Sequence, residues 1–175
     1  MNDAIRAALR QRQPFGTPTE EVFVGLQLAA NRALGPWAAE LKRRARLTPV
    51  QYNVLRILRG ARPGGGGGAL SCRQIAERLI TRDPDVTRLL DRLVTRGLVR
   101  RARPAGDRRV VEVAISAEGL AVLRALDETA RALPRTVFGA LSTTQLRQLG
   151  ALLGRVVAHL EPNGPTRGRL ARSGE

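Results

Sequence analysis

The stretch from Ser71 to Ile115 constrains the fold most strongly, because its apolar periodicity changes from helical to strand-like within a short distance. Two short helix patterns come first, and the first begins with Ser71 and Gln74 at the spacing of a capping box. Two runs rich in β-branched residues follow, on either side of a Pro-Ala-Gly-Asp loop. This order predicts a helix, a turn, a second helix and a β-hairpin, which is the outline of a winged helix-turn-helix.

The second helix pattern has clearly marked ends. Asp83 is the predicted N-cap and Pro84 stands at the first helical position, where a missing N–H costs nothing. Gly97 stands where a left-handed residue is expected to end the helix. Four apolar residues at helical spacing predict the buried face, namely Val86, Leu89, Leu90 and Leu93. The opposite face is then exposed, and it carries hydrogen-bonding side chains.

That exposed face is suited to double-stranded DNA. An α-helix fits the major groove, and Arg or Thr side chains reach base edges and phosphates from it, with Arg88 at the centre of the face. A guanidinium at the tip of the hairpin can enter the adjacent minor groove, where the potential is most negative. The predicted DNA-binding residues are Arg73, Thr81, Arg82, Asp85, Thr87, Arg88, Arg92, Arg103, Asp107, Arg108 and Arg109.

The net charge favours a polyanionic partner but leaves two functions open. The chain has 30 Lys and Arg against 15 Asp and Glu, a formal charge of +15. Arginines on the outer face of an amphipathic helix are also commonly solvated charges that bind no partner. The main interpretation is sequence-specific binding of double-stranded DNA. The alternative is a non-specific architectural DNA- or RNA-binding protein, which needs no two-fold dimer.

Several classes of function find no support in the sequence. One cysteine and one histidine exclude an internal disulfide and a zinc site, and no cofactor or metal is expected. The glycine run Gly64–Gly68 is not followed by the Lys-Ser/Thr pair of a phosphate-binding loop, so it predicts a flexible connection of unassigned role. No catalytic grouping is recognisable, and we predict that the protein is not an enzyme. No run of about 18 apolar residues predicts a membrane span, and a cytoplasmic protein is expected.

The predicted organisation is mainly α-helical with a small β-hairpin wing, an α+β fold. A helical pattern precedes the winged domain, with a kink or break expected at Gly35-Pro36, and two helical patterns follow it. The predicted segments are a flexible N-terminal arm (1–18), an N-terminal dimerisation helix (19–46), the winged helix-turn-helix (47–115), C-terminal dimerisation helices (116–161) and a disordered tail (162–175).

The last helical pattern predicts that its helix packs against a partner helix. Its apolar residues alternate in steps of three and four, namely Leu146, Leu149, Leu153, Val156 and Leu160. The first long helix also has an apolar face, and a small winged domain cannot cover both that face and this seam. We therefore expect a homodimer. A two-fold dimer presents two recognition helices to successive major grooves about 34 Å apart, and therefore predicts a pseudo-palindromic site.

From roughly residue 20 to residue 160, the chain resembles the MarR family of bacterial and archaeal transcription regulators. The most specific pieces of the resemblance are the segment DPDVTRLLDRL and the motif Asp107-x-Arg109 followed by Val110 and Val111. The glycine run departs from the family pattern, because it lengthens the connection before the Ser71 helix.

The resemblance implies a homodimeric winged-helix protein whose terminal helices form the dimer interface. The helix at 83–97 would enter the major groove, Arg109 would reach into the minor groove, and Asp107 would hold the wing arginines. Family members mostly repress nearby genes, and many leave DNA when a small phenolic or aromatic effector binds. The family's effectors bind between the dimerisation and DNA-binding regions.

Three residues have two interpretations each. Trp37 and Tyr52 are candidate ligand-binding residues that could line an effector pocket, although aromatics at core spacing more often serve packing. Cys72 is either a redox-active thiol or a small buried residue, and its place on the inward stripe of the first short helix favours burial.

Overall fold

The computed structural model describes residues 3–61, 68–81, 85–102 and 111–161 of the 175-residue chain. The mainly helical prediction with a small sheet is confirmed. The elements are α1 (Asp3–Leu9), α2 (Pro18–Ala45), α3 (Pro49–Arg59), β1 (Ala69–Ser71), α4 (Cys72–Ala76), α5 (Val86–Thr95), β2 (Val99–Ala102), β3 (Glu112–Ile115), α6 (Ala117–Phe138) and α7 (Thr143–Leu160). The chain divides into two compact units, Met1–Ala130 and Arg131–Glu175.

The three strands form an antiparallel sheet in the order β1-β3-β2. Val113 lies in the central strand, opposite Leu70 of β1 and Arg101 of β2, and its side chain is fully buried. The hairpin predicted from the two β-branched runs is therefore β2 with β3. Strand β1 pairs with the free edge of β3, which leaves fewer unpaired backbone groups at that edge.

Capping boxes set the beginnings of three helices, one of them at the predicted Ser71. The Thr48 N–H donates to Oε1 of Gln51 (3.0 Å), and the Gln51 N–H donates to Oγ1 of Thr48 (3.2 Å). The same reciprocal pair joins Ser71 to Gln74 at the start of α4 and Ser142 to Gln145 at the start of α7. Each capping box satisfies two backbone donors that the helix itself leaves without partners.

The N-cap of the second short helix pattern differs from the prediction. Asp83 and Pro84 lie outside the described residues, and the observed cap is Asp85, whose Oδ1 accepts the N–H of Arg88 at 3.0 Å. Helix α5 therefore begins at Val86. At the other end Gly97 has φ +68°, as the predicted left-handed residue requires.

Of the kink or break expected at Gly35-Pro36, the break does not occur, because α2 continues to Ala45. Helix α6 likewise continues through Pro134 to Phe138. Proline removes one hydrogen bond within a helix, but both prolines lie on exposed faces, where solvent can bind the carbonyl group left without a donor.

Residues 3–9, within the segment predicted as a flexible arm, form a helix that packs on α2. The Ile5 side chain lies over Gly25, and Arg32 donates from Nη2 to the Ala8 carbonyl oxygen at 3.2 Å. The Arg32 guanidinium thus satisfies a carbonyl group at the C-terminal end of α1.

The core of the first unit lies between the sheet and the helices around it. It is built from aliphatic side chains that are almost fully buried: Leu41, Leu47, Val54, Leu55, Leu58, Ile75, Leu90, Leu93, Val113, Leu123 and Leu126. Helix α6 approaches this core so closely that a Cβ atom on Gly119 would overlap the carbonyl oxygen of Leu98. In the described part of the chain, no helix is long and apolar enough to cross a membrane.

Candidate nucleic-acid interface

Helix α5 buries one face and exposes the other, as its apolar spacing predicts. Leu89, Leu90 and Leu93 point into the core, and Leu90 and Leu93 are fully buried. The exposed side carries polar and charged residues, namely Thr87, Arg88, Asp91, Arg92 and Thr95. Because the apolar face is anchored in the core, this polar face is held outward on a rigid element, as a base-reading helix requires.

Arg88, at the centre of the predicted base-reading face, is an exposed charged residue of α5. Its side chain is 80% exposed, and its Nε lies 3.0 Å from Oδ2 of Asp85. Asp85 therefore caps the helix with one carboxylate oxygen and pairs with Arg88 through the other. Ion pairs between exposed groups contribute little free energy, so contact with a base or a phosphate can displace this one.

The other described DNA-binding candidates surround α5. Thr81 and Thr87 are exposed, and no described carboxylate forms an ion pair with Arg92. Arg73 on α4 donates from Nε to Glu77 at 2.9 Å, and this hydrogen bond raises the pKa of Arg73. The remaining candidates, Arg82, Arg103, Asp107, Arg108 and Arg109, lie outside the described residues.

Two contacts that the sequence analysis missed hold α5 against its surroundings. Arg101 of β2 donates to Oδ1 of Asp91 at 2.6 Å, which joins the base of the wing to the middle of the helix. Arg96, the C-cap residue of α5, donates to the carbonyl oxygens of Ala45 and Arg46, each at 2.7 Å. It thereby caps the C-terminal end of α2. The partners of Arg96 lie about 50 residues away in sequence, so no local pattern signals this contact.

Trp37 and Tyr52 lie together in the interior. Their ring centroids are 5.0 Å apart in an edge-to-face arrangement, and both side chains are buried. Burial raises the pKa of Tyr52, and the guanidinium carbon of Arg56 lies 5.9 Å from the tyrosine ring centroid. Nη1 of Arg59 donates to both carboxylate oxygens of Asp127 of α6, at 2.8 and 3.0 Å. Cys72 is half-buried at the first position of α4.

Comparisons with known proteins identify relatives of this chain. The model of the MarR family matches residues 47–110. The HTH-type transcriptional regulator PecS of Dickeya dadantii (strain 3937) is 33% identical over 138 residues, 79% of each chain. A MarR transcription factor of Planctomyces limnophilus shares 36% identity at a TM-score of 0.58, over 81% of this chain and 98% of that one. Sco3205 of Streptomyces coelicolor, a MarR family regulator solved in complex with DNA, shares 27% identity at a TM-score of 0.69, over 87% and 94% of the two chains.

Proposed function

The chain belongs to the MarR family of transcriptional regulators, and we propose that it is a homodimeric repressor that binds a pseudo-palindromic operator. The observation that carries this proposal is the outward face of α5, where Asp85 caps the helix and orients Arg88. In this proposal α5 enters the major groove and Arg88 reads a base. Sco3205 supports DNA binding, because a regulator of similar sequence and fold was solved on DNA.

The wing completes the proposed DNA interface. By the family's motif, Arg109 enters the minor groove and Asp107 holds the wing arginines. The support comes from the strands on either side of the loop, because β2 and β3 pair in register and Arg101 joins β2 to Asp91 of α5. The strands that carry the loop are therefore attached, through Arg101, to the proposed recognition helix.

Exposed apolar side chains in both units support the homodimer. On α2, Val22 and Phe23 are 69% and 63% exposed, and Leu26 and Leu34 are exposed as well. On α7, the exposed residues include Leu146, Leu153, Val156 and Leu160 of the predicted seam. Apolar area of this extent is costly in water, and a second copy of the chain offers the same surfaces for burial.

Binding to a short duplex tests the proposed function. At physiological salt, we expect fluorescence anisotropy to show that a palindrome taken from the gene's own promoter region binds much more tightly than a scrambled duplex. Arg88→Ala should cost about 1–3 kcal/mol on the palindrome and relax base preference at one position per half-site. Arg124→Ala, at an exposed position of α6, is the control with the same change in charge. Equal affinity for both duplexes would instead support a non-specific architectural protein.

The proposal includes release from DNA by a small aromatic effector that binds at Trp37 and Tyr52. The support is that this ring pair has charged neighbours, because Arg56, Arg59 and Asp127 all interact electrostatically with Tyr52. Trp37 is the only tryptophan, so its emission reports this place directly. Titration with phenolic acids should quench Trp37 and dissociate the operator complex over the same concentrations. Dissociation with unchanged emission would exclude this pair as the effector site.

A further inference from the structure

Ile80 is an exposed apolar residue just before the proposed recognition helix. Its side chain is 82% exposed, the largest exposed fraction of any large apolar residue that the structure describes. It follows the tight turns after α4, in which the Leu79 N–H donates to the Ala76 carbonyl oxygen at 3.3 Å. Leu79 is half-buried, so of these two neighbouring apolar side chains the fold covers only Leu79, and only in part.

The proposed homodimer gives no account of this exposure. The largest exposed fractions after that of Ile80 belong to Val22 of α2 and Leu160 of α7, at 69% and 68%. Both of these helices carry several exposed apolar side chains and belong to the proposed dimer interface. Ile80 belongs to neither helix, and the residues close to it in sequence, Arg78 and Thr81, are exposed and polar.

Ile80 lies near the end of α5 that enters the major groove in the proposed function. Asp85 caps this end, and Arg88 belongs to the first turn. The five residues from Ile80 to Asp85 span at most about 18 Å of chain. That is the length of about five base pairs of B-DNA. Ile80 is therefore within reach of the half-site that Arg88 contacts.

An apolar side chain among exposed arginines matches the major groove of DNA. The 5-methyl group of thymine is the apolar group on the base edges there, and phosphates on both sides of the groove suit Arg78 and Arg88. The apolar surface of another protein is a poorer match, because its contact would remove water from these charges without pairing them.

We propose that Ile80 is a further specificity-determining residue, whose side chain packs against the 5-methyl group of one thymine in each half-site. Arg88 reads hydrogen-bonding groups of a base, and Ile80 adds the recognition of a methyl group. Because Ile80 is exposed before binding, this contact buries apolar surface without any rearrangement of the core. The inference rests on the proposed function, since it assigns a base contact within the operator.

Replacement of thymine by deoxyuridine tests the contact, because deoxyuridine lacks only the 5-methyl group. Each thymine of the operator is replaced in turn, in both half-sites together, and anisotropy gives the dissociation constants of wild type and Ile80→Ala. At one position the replacement should weaken wild-type binding about fourfold per half-site, or about 15-fold for the dimer. The same replacement should leave Ile80→Ala unchanged, although this variant binds the thymine operator more weakly than wild type does.

Leu9→Ala is the matched control, since Leu9 is an exposed apolar residue of α1. A general loss of affinity multiplies every dissociation constant by the same factor, so Leu9→Ala should show the wild-type pattern of penalties. Ile80→Ala removes almost no buried surface, and its unfolding midpoint in urea should remain near that of wild type.

The outcomes separate this inference from the proposed function. If wild type selects the palindrome but Ile80→Ala shows the same penalties at every thymine, the contact is wrong and the proposed function stands. An equal loss by Ile80→Ala on palindromic and scrambled duplexes assigns Ile80 to the sugar–phosphate backbone, and unchanged affinity assigns it to a protein partner. Either result overturns the inference. Wild-type protein that binds both duplexes equally refutes the proposed function, and this inference with it.

Discussion

At the scale of single residues, Asp85 combines two roles that its position makes compatible. One carboxylate oxygen accepts the Arg88 N–H and caps α5, and the other lies 3.0 Å from the Arg88 side chain. The same carboxylate therefore fixes where the helix starts and where the exposed Arg88 side chain points. Arg96 acts similarly at the other end of α5, where its guanidinium caps a different helix.

The two roles of Asp85 can be separated by substitution. Asp85→Ala removes the cap and should lower the free energy of unfolding by about 1 kcal/mol. Asp85→Asn keeps a side-chain oxygen for the cap, so its stability in urea should remain near that of the wild type. It also removes a negative charge beside Arg88, and we expect tighter operator binding in anisotropy measurements. Weaker binding by Asp85→Asn would instead assign a direct base contact to Asp85.

At the scale of elements, local signals predict where helices begin better than where they break. The predicted capping box at Ser71 forms, and so do those at Thr48 and Ser142, because both partners of each lie within one turn. Of the kink or break expected at Gly35-Pro36, the break does not form. Proline costs a helix one hydrogen bond, and in a long helix the packing of Trp37 and Leu41 in the core can offset that cost.

Contacts between elements attach α5, the proposed recognition helix, to its surroundings. Asp91 joins α5 to β2, Arg96 joins it to the end of α2, and three leucines anchor its inner face. Helix α3 is joined to α6 by the half-buried pair of Arg59 and Asp127. Movement of α2 or α6 would therefore be transmitted to the helix-turn-helix through a few polar contacts as well as through the core.

At the scale of the whole molecule, the exposed apolar side chains of α2 and α7 predict that the functional unit is a dimer. Leu153→Asp places a charge in the middle of the predicted α7 seam and should give a monomer in sedimentation experiments at micromolar concentration. The monomer presents one recognition helix, so we expect operator affinity to fall at least a hundredfold. Gln148→Asp, outside the seam, is the control and should leave the dimer intact. Dimerisation of Leu153→Asp with unchanged affinity would contradict the assigned interface.

The sequence by itself determines the helix start at the Ser71 capping box, the buried and exposed faces of α5 and the pairing of the wing strands, but not the start of α5. All of these depend on neighbours in the chain or on a strict periodicity. The family, in contrast, is indicated by the resemblance of the segment DPDVTRLLDRL and of the Asp107-x-Arg109 motif. Only the tertiary structure decides which arginines face which partners. Arg88, Arg96 and Arg101 look alike in sequence, yet they contact a cap residue, a helix end and an acidic residue of α5 respectively. The physical reason is that a long charged side chain selects its partner from whatever folding brings within reach, and Arg96 finds its partners about 50 residues away.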